Sequence, residues 1–373
     1  MRFSEVIGQQ EVKDVLLAQV RANRLPHALL LSGDTGYGTL ALALALATYV
    51  LCDRQSETDS CGQCPSCVKA DKLIHPDLHF SFPVIKKSSG VTTSDTYLKE
   101  WLTQLESEKY FDLNDWLRVI GTENKQAIIP DDEADSIIRK LSLSSYEGGW
   151  KVMIIWLPEK MHTNAANTLL KTLEEPSGKT LFILCSEHPE QLLDTIVSRT
   201  QRIDVPPLST DSICQALISQ RGLEQEDAAA LARVAGGSWL KALRQLCDTD
   251  DSKVMLQSFV QLMRMAYMRD LAGLMKWSET MAALGREQQK IYLNYMQQML
   301  RENFVYNFKR PELNFMTPQE SDFASKFARF INERNIIRFA EEFAHAQRDV
   351  AANVNGKTIF FNLALQTIIL LRQ

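Results

Sequence analysis

Apolar residues recur at helical spacing at Val12, Val15, Leu16 and Val20, and the pattern breaks between Asn23 and Pro26. The run His27-Ala-Leu-Leu-Leu-Ser32 that follows reads as a strand buried on both faces. After Gly33-Asp34-Thr35-Gly36-Tyr37-Gly38 comes Thr39 to Leu51, whose Leu/Ala alternation has the period of a strand. Leu and Ala are nevertheless strong helix formers, and a helix is expected there. Leu78 to Phe82, Lys151 to Trp156, Thr180 to Cys185 and Arg202 to Val205 read as further strands, separated by amphipathic segments such as Met161 to Leu173. Between the first and second of these, Lys86 to Asp95 is polar and reads as a loop or insertion, and Trp101 to Ile120 resumes a helical pattern. Strands alternating with helices predict a parallel sheet. Beyond Pro206-Pro207 no strand is expected until, at most, the last residues. Ser212 to Ala242 fits three short helices, and Val254 to Gln373 a set of longer ones, interrupted near Arg310 to Ser321.

A chain of 373 residues is long enough for two or three domains. Its 45% hydrophobic and 23% charged residues exclude a wholly disordered or fibrous polypeptide. With 41 Lys+Arg against 46 Asp+Glu, the net charge of −5 argues against a stand-alone nucleic-acid-binding module. The longest apolar run, Leu40 to Leu51, is too short for the ~20 residues that span a bilayer, so no membrane segment is expected. The start Met1-Arg2-Phe3-Ser4-Glu5-Val6 carries no export signal, which makes the cytoplasm the expected compartment.

Four of the seven cysteines fall in Cys52-x8-Cys61-x2-Cys64-x2-Cys67, enough thiolates to close a tetrahedral shell around a structural zinc. Gly62 and Pro65 would tighten the knuckles between ligands. A ferredoxin-type iron–sulfur site would need Cys-Pro after a three-residue gap, where this chain has Asp71-Lys72. His75 and His79 are left out of the ligand set. Trp101, Trp116, Trp150 and Trp239, without interleaved basic residues, read as packing residues, as does the methionine-rich stretch Met263 to Met268.

A strand, a glycine-rich turn and a helix form the frame of a phosphate loop, in which backbone N–H groups and a helix N-terminus hold phosphates. Gly33, Gly36 and Gly38 sit at the right offsets, but Thr39 stands where the lysine belongs and Leu40 where the magnesium-binding hydroxyl belongs. The strand Lys151 to Ile155 also lacks a following acid for magnesium: it continues Trp156-Leu157-Pro158, and Glu159 comes late. These gaps count against bound ATP and against hydrolysis.

Ile7-Gly8-Gln9, Leu25-Pro26-His27-Ala28, the Gly33–Gly38 loop, Asn167-Thr-Leu-Leu-Lys-Thr-Leu-Glu-Glu-Pro176 and Ser198-Arg199-Thr200 resemble the bacterial clamp-loader AAA+ subunits of DNA polymerase III. The resemblance covers about Phe3 to Leu243. It implies an α/β AAA+ core over residues 1–207 that carries the zinc module at 52–67. A helical lid at 208–250 and an all-α collar at 251–373 would follow. Motor subunits of the family carry Gly-Ser-x-Arg on the lid, where this chain reads Gly237-Ser238-Trp239-Leu240, so a third nucleotide contact is missing. The resemblance therefore implies a non-hydrolysing member. Arg199, supported by Ser198, would reach in trans into a neighbour's ATP site, although Thr200 departs from the family's Ser-Arg-Cys. The implied partners are the gamma/tau motor subunits and the delta subunit, with the sliding clamp and primed DNA engaged through the complex. The alternative is a divergent, active gamma/tau-like motor ATPase.

Overall fold

The computed structural model describes residues 1–86, 90–121, 126–246, 250–310 and 313–372, and they form two units, Met1–Ala242 and Leu243–Gln373. In the first unit the strands are β1 (Ala28–Ser32), β2 (Leu78–Ser81), β3 (Lys151–Trp156), β4 (Thr180–Ser186) and β5 (Gln201–Asp204). They lie in the order β2-β3-β4-β1-β5, and every pairing is parallel. Each residue of β1, β3 and β4 is buried. That is why these strands are continuous apolar runs without alternation: helices cover both faces of a parallel sheet. β5, at one edge, is largely exposed and accordingly polar.

The helices of this unit are α1 (Gln10–Arg21), α2 (Thr39–Leu51), α3 (Pro65–Asp71), α4 (Leu98–Ser107), α5 (Leu113–Val119), α6 (Asp131–Ser142), α7 (Thr163–Glu174), α8 (Asp194–Val197), α9 (Thr210–Arg221), α10 (Gln225–Val234) and the first residues of α11 (Trp239–Leu246). All thirteen residues of α2 are buried, so its Leu/Ala sequence needs no polar stripe. On one sheet face, α6 and α7 pack Ile137, Leu141, Leu169 and Leu173 against Met153, Phe182 and Leu184. On α1, Val12 and Leu16 are buried as the helical spacing predicts, but Val15 is 47% exposed, one position off the inward stripe.

Trp101 of α4 and Trp116 of α5 are fully buried and meet edge-to-face at 5.2 Å; Trp101 also stacks on Phe82 at 4.2 Å. Phe82 therefore packs beside β2 instead of extending it. The helical pattern expected from Trp101 to Ile120 is thus two short helices anchored on aromatic rings. The expected loop at Lys86 to Asp95 lies partly outside the described residues, and from Ser94 to Tyr97 it is a 3-10 turn.

The second unit is all helical among the described residues: α12 (Asp250–Met268), α13 (Leu271–Ala283), α14 (Arg286–Tyr306), α15 (Pro318–Phe327), α16 (Ile336–Ala351) and α17 (Gly356–Leu370). The final residues, where a strand was the outer limit of expectation, belong to α17, which packs Phe360, Leu363 and Ala364 into a core with Phe259, Trp277, Met296, Phe339 and Phe343. Met263 joins this core, whereas Met268 is 67% exposed, so the methionine stretch packs only in part. Among the described residues no helix is long and apolar enough to cross a membrane. The parallel sheet flanked by helices, the short helices after it and the all-α C-terminal unit match the expected fold class.

Candidate functional site

The glycine turn begins where β1 ends. The Gly33 N–H donates to the Ser186 carbonyl at the end of β4 (3.1 Å), and the Leu42 N–H takes the Gly38 carbonyl (2.9 Å) as α2 starts. Gly36 and Gly38 have φ of +86° and +97°, a region glycine enters without strain. Residues distant in sequence close over this turn. Ser238 Oγ donates to the Thr35 carbonyl at 2.8 Å, and the Trp239 N–H donates to the Gly36 carbonyl at 3.0 Å. A Cβ on Gly36 would lie 2.2 Å from Ser238 Oγ, and one on Gly38 would lie 3.1 Å from Cε1 of Tyr110. The Tyr110 hydroxyl accepts the Ile7 N–H at 3.1 Å, and Gln9 Nε2 donates to the Tyr37 and Pro206 carbonyls at 3.0 and 2.6 Å. Thr39 is buried at the first turn of α2.

The acids beside the turn are also committed. Glu159 accepts the Ser186 hydroxyl (2.9 Å), the Glu187 N–H (3.0 Å) and the His188 N–H (3.2 Å). It thereby pins the loop after β4. Enclosure raises the Glu187 carboxyl to about 8, against the opposing effect of a hydrogen bond with the Thr35 side chain; the Glu159 and Asp112 charges add to the rise. The turn is bordered by acids, where a triphosphate calls for cations.

Arg199 lies elsewhere, just past α8. Its Nε and Nη2 both meet the Glu174 carboxylate at the end of α7, and Nη1 donates to the Thr195 carbonyl (2.8 Å) and Ser198 Oγ (3.3 Å). Ser198 Oγ itself donates to the Thr195 carbonyl at 3.2 Å. The side chain of Arg199 is 31% exposed.

Cys52, at the end of α2, joins Cys61, Cys64 and Cys67 so that all four sulfurs lie within 4.8 Å of one another. Cys61 and Cys67 Sγ are 3.9 Å apart, and Cys52 and Cys64 Sγ 4.0 Å. A tetrahedral zinc with bonds of about 2.3 Å needs edges of about 3.8 Å, so the donor set fits. Backbone N–H groups already point at the sulfurs: Gln63 and Cys64 donate to Cys61 Sγ at 3.5 and 3.3 Å, and Cys67 to Cys64 Sγ at 3.3 Å. The first two bring the Cys61 thiol down to about 6, while burial raises Cys52 and Cys67. Gly62 takes φ +68° and Pro65 opens α3, as expected of tight knuckles. His75 is not part of the cluster. Its Nδ1 accepts the Asp77 N–H (3.1 Å) and its Nε2 meets Glu147 (3.1 Å). Burial lowers His79 to about 4.

Residues 8–209 match the protein family described as DNA polymerase III, delta subunit. The chain belongs to that family. It is 32% identical over 215 residues to DNA polymerase III subunit delta' of Bacillus subtilis, a match covering 57% of this chain and 52% of that protein. It is 28% identical over 247 residues to subunit delta' of Escherichia coli, covering 62% and 61%. Subunit tau of B. subtilis matches at 25% over 250 residues, covering 66% of this chain and 37% of that protein. The chain thus spans about half to three-fifths of the length of these delta' relatives.

Three side chains of this polymerase III family member escaped the sequence reading. Glu174 lay inside the Asn167 to Pro176 block and could have been paired with Arg199. Glu187 follows β4, where a charged residue at a strand end gives no distinct signal. Tyr110 gave none, because its position depends on how residues 90–121 fold back over the glycine turn.

Proposed function

We propose that this chain is a non-hydrolysing delta'-type subunit of a clamp loader, taking part in assembly of the sliding clamp onto primed DNA. Residues 1–207, 208–250 and 251–373 would be its AAA+ core, lid and collar, and gamma/tau motor subunits and a delta subunit its partners. The observation that carries the reading is the glycine turn. It keeps the backbone of a phosphate loop, lacks the lysine, and has its carbonyls taken by Ser238 and Trp239. Leu240, where the motor subunits have arginine, stands close to Gly36 instead.

Arg199 would act on a neighbouring subunit. A guanidinium on the γ-phosphate offsets charge that builds during phosphoryl transfer, an effect worth roughly 10³–10⁵ in rate. Thr195, Ser198 and Glu174 hold it in one orientation, which lowers the entropy cost of placing it. The four cysteines would hold structural zinc, which supplies a cross-link and no open coordination position.

The experiment is reconstitution with motor and delta subunits, comparing wild type with Arg199→Ala for DNA-stimulated ATP turnover. A large loss with assembly intact is expected, and equal rates contradict the finger assignment. The match to tau is the observation behind the second reading, an active motor, which predicts ATP hydrolysis by this chain alone.

A further inference from the structure

The Gly33–Gly38 turn and its surroundings have the makings of a nucleotide pocket. There is a left-handed glycine turn at a helix N-terminus for phosphate, and nearby the backbone N–H of Ile7 faces the space between Gly38 and Trp239. An aromatic ring carrying a hydrogen-bond acceptor suits that space, which is the chemistry of a nucleobase. Here one is already present. The Tyr110 ring lies against Gly38, close enough that a methyl group on Gly38 would meet it at 3.1 Å. Its centroid is 6.5 Å from that of Trp239, edge-to-face, and its hydroxyl accepts the Ile7 N–H.

We infer that Tyr110 is the internal occupant of a nucleotide pocket, its phenol taking the space and the hydrogen bond of a base, so that the chain fills this pocket from within. Three observations support this. Tyr110 is 6% exposed, so it is seated and not laid across an opening. The next residue, Phe111, packs on Trp101 at 5.5 Å and Trp156 at 5.1 Å, which ties the tyrosine to the aromatic layer and to the end of β3. On the other side, Glu108 accepts the Tyr110 N–H at 3.2 Å and pairs with Arg221 of α9 at 3.0 Å. Both flanks of Tyr110 are therefore fixed. The segment 90–121 gains a role: it delivers this ring.

The inference rests on reading Gly33–Gly38 as a phosphate loop, and the test separates the two. Full-length wild type and Tyr110→Ala are titrated by equilibrium dialysis with ATP and, separately, with inorganic phosphate. Tyr110→Ala is expected to bind ATP at least about tenfold more tightly than wild type, with no gain for phosphate, because the space released is that of the base. Folded Tyr110→Ala with ATP binding no better than wild type overturns the occupant assignment and leaves the non-hydrolysing reading standing. ATP hydrolysis by wild type overturns that reading, and the occupant assignment with it. Should Tyr110→Ala fail to fold, nitration of wild type with tetranitromethane decides. Tyr110 is expected to resist while Tyr146, 81% exposed, reacts. A Tyr110 that reacts as fast as Tyr146, or that ATP protects, overturns the proposal.

Discussion

The Glu174 carboxylate and the Arg199 guanidinium join the end of α7 to the turn after α8, with Nε and Nη2 of the arginine on one carboxylate oxygen. Both side chains retain solvent contact, at 47% and 31% exposure. The pair is therefore worth no more than about 1 kcal/mol to stability, and its value lies in orientation. Glu174→Gln is expected to change the unfolding free energy by less than about 1 kcal/mol in denaturant titrations. A larger loss would make the pair a structural element of the fold and weaken the proposal that Arg199 acts on a neighbouring subunit.

Gly38 faces Tyr110 with φ +97°, so an alanine there meets two penalties, the left-handed backbone and the ring 3.1 Å from its Cβ. Gly38→Ala should cost about 1–3 kcal/mol in thermal or urea unfolding. A neutral substitution would mean that the turn is not packed against Tyr110.

The strands were legible because β1, β3 and β4 are buried on both faces, which leaves an unbroken apolar record. The fold of α2 was legible from composition alone, since all-round burial removes any helical stripe. The four cysteines were legible from spacing, because a metal shell needs its ligands close in both sequence and space. Tyr110 and Glu187 were not, as each acts through a partner brought up by the tertiary fold, Gly38 and Thr35. Val15 fits the helical spacing of α1 and Met268 was read with the methionine stretch as packing, and the fold leaves both exposed because a period cannot mark where the buried stripe ends.

Glu187 makes stability depend on pH. Its carboxyl sits at about 8 when folded against about 4.3 when unfolded, so the folded chain holds a proton that the unfolded chain releases. The sign follows: stability should decline as pH rises between these values and level off above the upper one. Glu187→Gln should flatten that part of the profile in urea titrations at successive pH values. An unchanged slope would remove Glu187 as its source.

Zinc removal should be felt at the N-terminus. Asp59, between Cys52 and Cys61, accepts the Phe3 and Ser4 N–H groups at 2.9 Å each, and the N-terminal amine pairs with Asp71 at 2.7 Å. The purified chain should carry one zinc by elemental analysis. Chelation or Cys64→Ser should speed hydrogen exchange in residues 1–8 while β3 and β4 stay protected. Unchanged exchange after metal loss would show that the cluster does not organise this region.

The most direct measurement is ATP turnover by the purified chain alone, with magnesium and with primed DNA. No saturable release of phosphate above the buffer blank is expected, because lysine and arginine are missing at the turn and Glu159 is committed to the loop after β4. Saturable, magnesium-dependent hydrolysis that tracks the protein through purification would contradict it.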